Sequence, residues 1–118
     1  MKIFMICPVR GISEDYRQAI ESQIANLESQ GNEVYYPARD TDQIDPTGIN
    51  ICRQNRDAIS NADIVYIIWD GKSTGSLFDL GMAFAINKPI RTVTGYFPPA
   101  TDFKSFQSMV YDWEENGT

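Results

Sequence analysis

The stretch WDGKSTGSLFDLG, running from Trp69 to Gly81, gathers hydroxyls, a lysine, three glycines and two carboxylates in thirteen residues. Two chemistries suit these types: an anion cradle made from hydroxyls and backbone N–H groups, and a carboxylate that attacks or moves a proton. Gly71-Lys72-Ser73-Thr74 has the form of the tail of a phosphate-binding P-loop. That motif requires a glycine five residues before its Gly-Lys pair, where Tyr66 stands, so a true P-loop is excluded. What survives is a weaker anion site, in which Gly71, Gly75 and the N–H groups of Thr74 to Leu77 meet a small anion at a helix N-terminus. Asp79 then falls in or near the first turn of that helix, where the dipole favours its ionised form. From its position alone it is either a helix-stabilising acid or a working carboxylate.

Composition narrows the rest. Among 118 residues there is no histidine, which removes Ser-His and Cys-His nucleophile pairs, imidazole acid–base chemistry and the usual zinc ligands. Cys7 and Cys52 lack metal-ligand spacing and read as small buried hydrophobes in a reducing compartment. No metal and no cofactor is expected. A net charge of -6 provides no basic face for a nucleic-acid backbone, so an anionic ligand must be small and met locally. With 42% apolar and 22% charged residues, the expectation is one globular domain over residues 1–118. No apolar run is long enough to span a bilayer, and MKIFMICPV is too short and lightly charged for a signal sequence, so a cytoplasmic protein is expected.

The elements that must position these groups alternate. Lys2 to Cys7 and Ile64 to Trp69 are nearly continuous apolar runs, as in strands covered on both faces. Glu33 to Tyr36 and Ile90 to Thr94 read as two further strands. Ser13 caps a helix that ends at Gly31; Asp45-Pro46 resembles the start of a second; Leu77, Leu80 and Phe84 mark a third. Pro37 to Asp45 reads as a loop. In the tail, Phe103, Phe106, Met109, Val110 and Trp113 have mostly helical spacing, with Ser108 to Tyr111 as an alternative edge strand. The implied fold is a three-layer α/β domain, flavodoxin- or Rossmann-like, with a parallel sheet of four or five strands in the order 2-1-3-4. Ligands then belong at the carboxyl ends of the strands, between the loops 8–12, 37–45 and 70–76.

The order of four segments carries a resemblance. Cys7-Pro8-Val9-Arg10-Gly11 follows the first strand, Ala62-Asp63 leads into the third, Ser73 to Ala83 follows it, and Asn87-Lys88-Pro89-Ile90 comes next. Together they resemble the nucleoside 2-deoxyribosyltransferase family, including its deoxynucleoside 5'-monophosphate N-hydrolase branch. The resemblance implies cleavage or transfer at an N-glycosidic bond, with a small nucleoside or nucleotide as partner and neither nucleic acid nor membrane. It makes Asp79 the nucleophile, attacking the anomeric carbon as in retaining glycosidases. Ser73 stands where the transferases carry an acid and the hydrolases a serine, which points to a 5'-monophosphate. Arg10 would meet that phosphate, with Gly75 and Ser76 adding backbone donors and Pro8 and Gly11 of the first loop also among the substrate-binding residues.

Two positions depart from the family pattern. The usual glutamate nucleophile is the shorter Asp79, and the usual aspartate eight residues before Asp63 is Asn55, here a sugar or base contact. A non-catalytic nucleotide-binding module on the same scaffold is therefore the alternative. Asp70, Asp40 and Asp42 are the acids left to protonate a departing base, and Trp69 and Tyr66 the aromatics left to stack one. Family members usually dimerise and complete a neighbour's pocket with a polar residue near the C-terminus, for which Ser108 or Ser105 is the counterpart. The aromatic tail, Tyr96, Phe97, Phe103, Phe106 and Trp113, fits such a homodimer or higher oligomer.

Overall fold

The two most apolar runs form the centre of the sheet in the computed structural model, which describes residues 1–117. β1 (Lys2–Ile6) pairs in parallel with β3 (Ile64–Ile67) on one side and with β2 (Glu33–Tyr35) on the other, and β4 (Ile90–Thr92) pairs with β3. The order is β2-β1-β3-β4, as the alternation of elements requires. Phe4 and Ile6 alternate with Ile3 and Met5 along β1, and with Cys7 just after it, so consecutive residues feed opposite apolar layers. One layer lies under α1 (Glu14–Ser29), through Ile20 and Ile24. The other lies under α3 (Ile49–Asn61), α4 (Thr74–Ala85) and α5 (Phe106–Asn116), through Ile59, Leu80, Ala83, Val110 and Trp113.

Three local expectations need correction. The stretch after β2 is not all loop: Pro37–Asp40 form a one-turn helix, α2, in which the Asp40 carboxylate accepts the Tyr36 N–H at 2.8 Å. α3 starts at Ile49 instead of Pro46. Gly48 precedes it at φ 84, and this left-handed step lets the Asp45 carboxylate reach forward to the N–H groups of Asn50 and Ile51. Asp45 is thus a cap, delivered across a turn. Finally, there is no fifth strand among the described residues, because Ser108 to Tyr111 lie inside α5, whose first turn is closed by Ser105 Oγ accepting the Ser108 N–H.

Lys88 ties this scaffold to the site, since its ammonium donates to the Ser60 and Ala62 carbonyls where α3 ends. It thereby serves the carbonyl end of the helix that carries Asn55. Lys88→Met keeps the aliphatic stem and removes the charge. It is expected to lower stability by about 1 kcal/mol, read as a fall in Tm of roughly 4 °C in a thermal melt.

Candidate active site

β1→α1→β2 and β3→α4→β4 leave the sheet centre in opposite directions, so a crevice opens outside the carboxyl ends of β1 and β3. A cavity of about 560 Å³ occupies it, lined by Cys7, Arg10, Gly11, Cys52, Asn55, Asp70, the Ser73–Ser76 turn and Asp79, among others. A larger groove of about 700 Å³ lies at the opposite edge, beside Lys2, Glu33 and Asn61. That groove sits at the amino ends of the strands, away from the loops and helix N-termini that make ligand sites in this architecture.

The turn into α4 is built by its own side chains. Asp70 Oδ1 accepts the N–H groups of Lys72 and Ser73, each at 2.9 Å, while Gly71 takes φ 81 between them. Asp70 is thus tied to the shape of the turn, and the Trp69 indole N–H holds the Ser73 carbonyl at 3.2 Å. Ser73 caps the helix: its Oγ accepts the Ser76 N–H at 3.3 Å and the Ser76 hydroxyl at 3.0 Å. Those two bonds occupy its acceptor capacity and leave its own proton to donate. Ser76 is buried and its N–H is engaged in the cap, so Thr74 and Gly75 carry the amides left open at the helix start. A Cβ on Gly75 would meet nothing within 4 Å, which marks open space over that end. Arg10 is exposed and belongs to none of the ion pairs among the described residues.

Asp79 lies in the second turn of α4, further from the N-terminus than its spacing suggested. The dipole therefore does not dominate. Burial pushes its carboxyl up from 3.8 to about 6, and the hydrogen bond from Asn55 Nδ2 to Asp79 Oδ2, 3.5 Å long, pulls the other way. The group is ionised in most molecules at pH 7 and protonated in many at pH 6. Behind Asn55 stands Thr41, buried, whose hydroxyl donates to Asn55 Oδ1 at 2.8 Å. The Cys7 thiol is pushed up to about 12, by burial and then by the Asp79 charge, so it stays neutral.

Of the residues singled out by sequence, Arg10, Gly11, Asn55, Asp70, Ser73, Gly75, Ser76 and Asp79 meet in one cavity. Pro8, expected among the substrate contacts, is fully buried and does not line the cavity. Ser108 is elsewhere, in a cluster with Thr101 and Ser105 beside Phe103 and Trp113. Asp40 is paired with Arg39: burial pushes its carboxyl up, but the Arg39 hydrogen bonds, the Tyr36 N–H and the Arg39 charge together hold it below the usual range; Asp42 closes a turn onto the Ile44 N–H. Neither lines the cavity. Trp69 is core, packed on Phe97 and Phe106, and Tyr66 packs on the α1 side of the sheet. Thr41, Gln43 and Cys52 were not foreseen as site residues. Cys52 had a signal, standing one turn before Asn55 on the same helical stripe. Thr41 had none, because its place depends on the one-turn α2. No group of three or more Cys, Asp or Glu side chains gathers as metal ligands among the described residues, and none of their helices is long and apolar enough to cross a membrane.

The family model described as nucleoside 2-deoxyribosyltransferase matches residues 3–112. Among solved structures, a 2-deoxyribosyltransferase from Bacillus psychrosaccharolyticus aligns with a TM-score of 0.71 at 21% identity, over 95% of this chain and 81% of that one. A CMP N-glycosidase from Clostridium botulinum aligns at 0.58 and 25% identity, over 78% of this chain and 67% of that one. A 2-desoxiribosyltransferase from Leishmania mexicana aligns at 0.58 and 19% identity, over 98% and 97%. No curated protein sequence matches. With the family model spanning residues 3–112, nearly every described residue, the chain belongs to the nucleoside 2-deoxyribosyltransferase family.

Proposed function

We propose that this chain cleaves, or transfers across, the N-glycosidic bond of a nucleoside 5'-monophosphate or nucleoside, with Asp79 as nucleophile. The observation that carries the reading is one cavity holding a largely ionised carboxylate together with the open start of α4 and an unpaired arginine. A carboxylate oxygen of Asp79 bonds to the anomeric carbon while the bond to the base breaks. The base leaves with that electron pair and takes up a proton from water, since Asp70, the second carboxylate lining the cavity, accepts the Lys72 and Ser73 N–H groups. Water or another base then attacks the same carbon and frees Asp79, so one difficult displacement becomes two easier ones. Asn55 has a second amide proton for the sugar once the first is on Asp79.

At the 5' end, the Ser73 proton, the Thr74 and Gly75 amides and Arg10 form a donor set that suits a phosphate dianion, the Asp70 carboxylate of the same turn being turned onto the Lys72 and Ser73 N–H groups. The likeness to a CMP N-glycosidase at 25% identity supports a monophosphate substrate. Exposed Phe84, Phe103 and Met109 beside Ser108 fit a homodimer that carries this serine to a neighbour.

Incubation with a panel of nucleosides and their 5'-monophosphates, ribo and deoxy, should release free base above a no-enzyme control. Arg10→Ala should raise KM for monophosphates by roughly 10-fold or more and leave nucleosides nearly unchanged, since one charge-assisted contact is lost. Calorimetric binding without base release would instead establish the non-catalytic nucleotide-binding reading.

A further inference from the structure

Thr41 and Asn55 are both buried, at 4% and 6% exposure, and their hydrogen bonds have a direction. The Thr41 hydroxyl donates to Asn55 Oδ1 at 2.8 Å and lies 2.6 Å from the Tyr35 hydroxyl. Threonine has a single hydroxyl proton, so with that proton on Asn55 the Tyr35 hydroxyl is the donor to Thr41. The amide of Asn55 is thereby turned with its oxygen towards Thr41 and its Nδ2 towards Asp79. Three donors run the same way, Tyr35 to Thr41 to Asn55 to Asp79. In the reversed amide, an oxygen would face the carboxylate oxygen.

We propose that Tyr35 and Thr41 are positioning residues that act through Asn55, holding its N–H on the Asp79 carboxylate and so keeping this nucleophile ionised and in one orientation. The proposal rests on the assignment of Asp79 as nucleophile. It also gives a physical reason for asparagine at position 55, because an aspartate there would take the Thr41 proton on one oxygen and turn the other on Asp79. Asn55 is the one side chain hydrogen-bonded to Asp79 among the described residues. The other groups around it are Cys7 from the end of β1, Arg10 from the next loop, Cys52 from α3, and Asp70 and Lys72 from the turn into α4. None of these depends on Thr41. No buried side-chain polar atom lacks a partner among the described residues, so removing the Thr41 hydroxyl would leave the Asn55 oxygen unmatched and its amide free to turn.

The test is Thr41→Val, with Thr41→Ser and Tyr35→Phe beside it. Two readouts are taken: the pH profile of kcat/KM for base release, and the carbon-13 titration of the Asp79 carboxyl in the ligand-free protein. Thr41→Val should move both midpoints up by about one pH unit, making activity at pH 6 roughly five-fold lower while rates converge above pH 8. Thr41→Ser should restore the parent midpoint, and Tyr35→Phe should give a smaller shift in the same direction. An unchanged titration midpoint, with activity lowered equally at every pH, would overturn the proposal and leave Thr41 merely structural. If Thr41→Val does not fold, an unshifted Tyr35→Phe overturns it equally. A moved midpoint in a protein that releases no base would sustain the relay and remove the catalytic reading, so the two failures are distinct.

Discussion

Asp79→Ala is expected to lower base release by on the order of 10⁴-fold without loss of fold, the cost of removing the proposed nucleophile. The substitution shortens a half-buried side chain at the cavity wall, and Leu80 and Ala83, which anchor α4 in the core, are untouched. Asp79→Glu is the sharper experiment. Most of the family's logic runs through a longer acid, yet here Asn55 reaches Asp79 only at 3.5 Å, and a carboxylate one methylene further out would sit about 1 Å from its working place. A displacement of that size costs roughly 100-fold in rate, so the glutamate variant should fall between the parent and the alanine variant. Single-turnover base release with the best substrate of the panel checks both. Activity that appears only in the glutamate variant would mean a pocket whose nucleophile has been retired.

The sheet was legible because its evidence is repeated along whole segments. Ile3 to Ile6 and Ile64 to Ile67 are apolar without a break, short and rich in β-branched or aromatic residues, as a strand covered on both faces requires. The carbonyl ends of such strands then had to carry the site. The placement of Asp79 was harder to read, since one residue more or less at a helix start decides whether the dipole or burial governs its charge. Ser73 as cap puts the start at Thr74, and burial prevails. Thr41 was not legible at all. Its hydroxyl reaches Asn55 because Asp40 folds Pro37–Asp40 into a turn around the Tyr36 N–H, a contact with no periodic signature. Ser108 shows the converse: a sound helical stripe located α5, and within one chain that helix faces away from the cavity.

Asp79→Asn should separate function from stability. Burial raises this carboxyl from 3.8 to about 6, so the folded state binds its proton more tightly than the unfolded chain does. The sign follows from linkage: the contribution of Asp79 is most favourable below pH 3.8, weakens as pH rises towards 6, and is fully lost above it. The whole shift corresponds to about 3 kcal/mol, and partial solvent access reduces it to about 2 kcal/mol at pH 7. Asparagine carries no charge to desolvate and can still accept the Asn55 N–H through its oxygen. Asp79→Asn is therefore expected to gain about 2 kcal/mol at pH 7.5, seen as a rise in Tm of roughly 10 °C, and no more than about 0.5 kcal/mol at pH 4. Urea unfolding of both proteins at pH 4, 6 and 7.5 measures this. A gain equal at all three values would assign the effect to packing, and no gain at pH 7.5 would mean that the site does not hold its carboxylate at a cost. An inactive variant more stable than its parent only where Asp79 is charged would show that the fold tolerates this carboxylate for the sake of what it attacks.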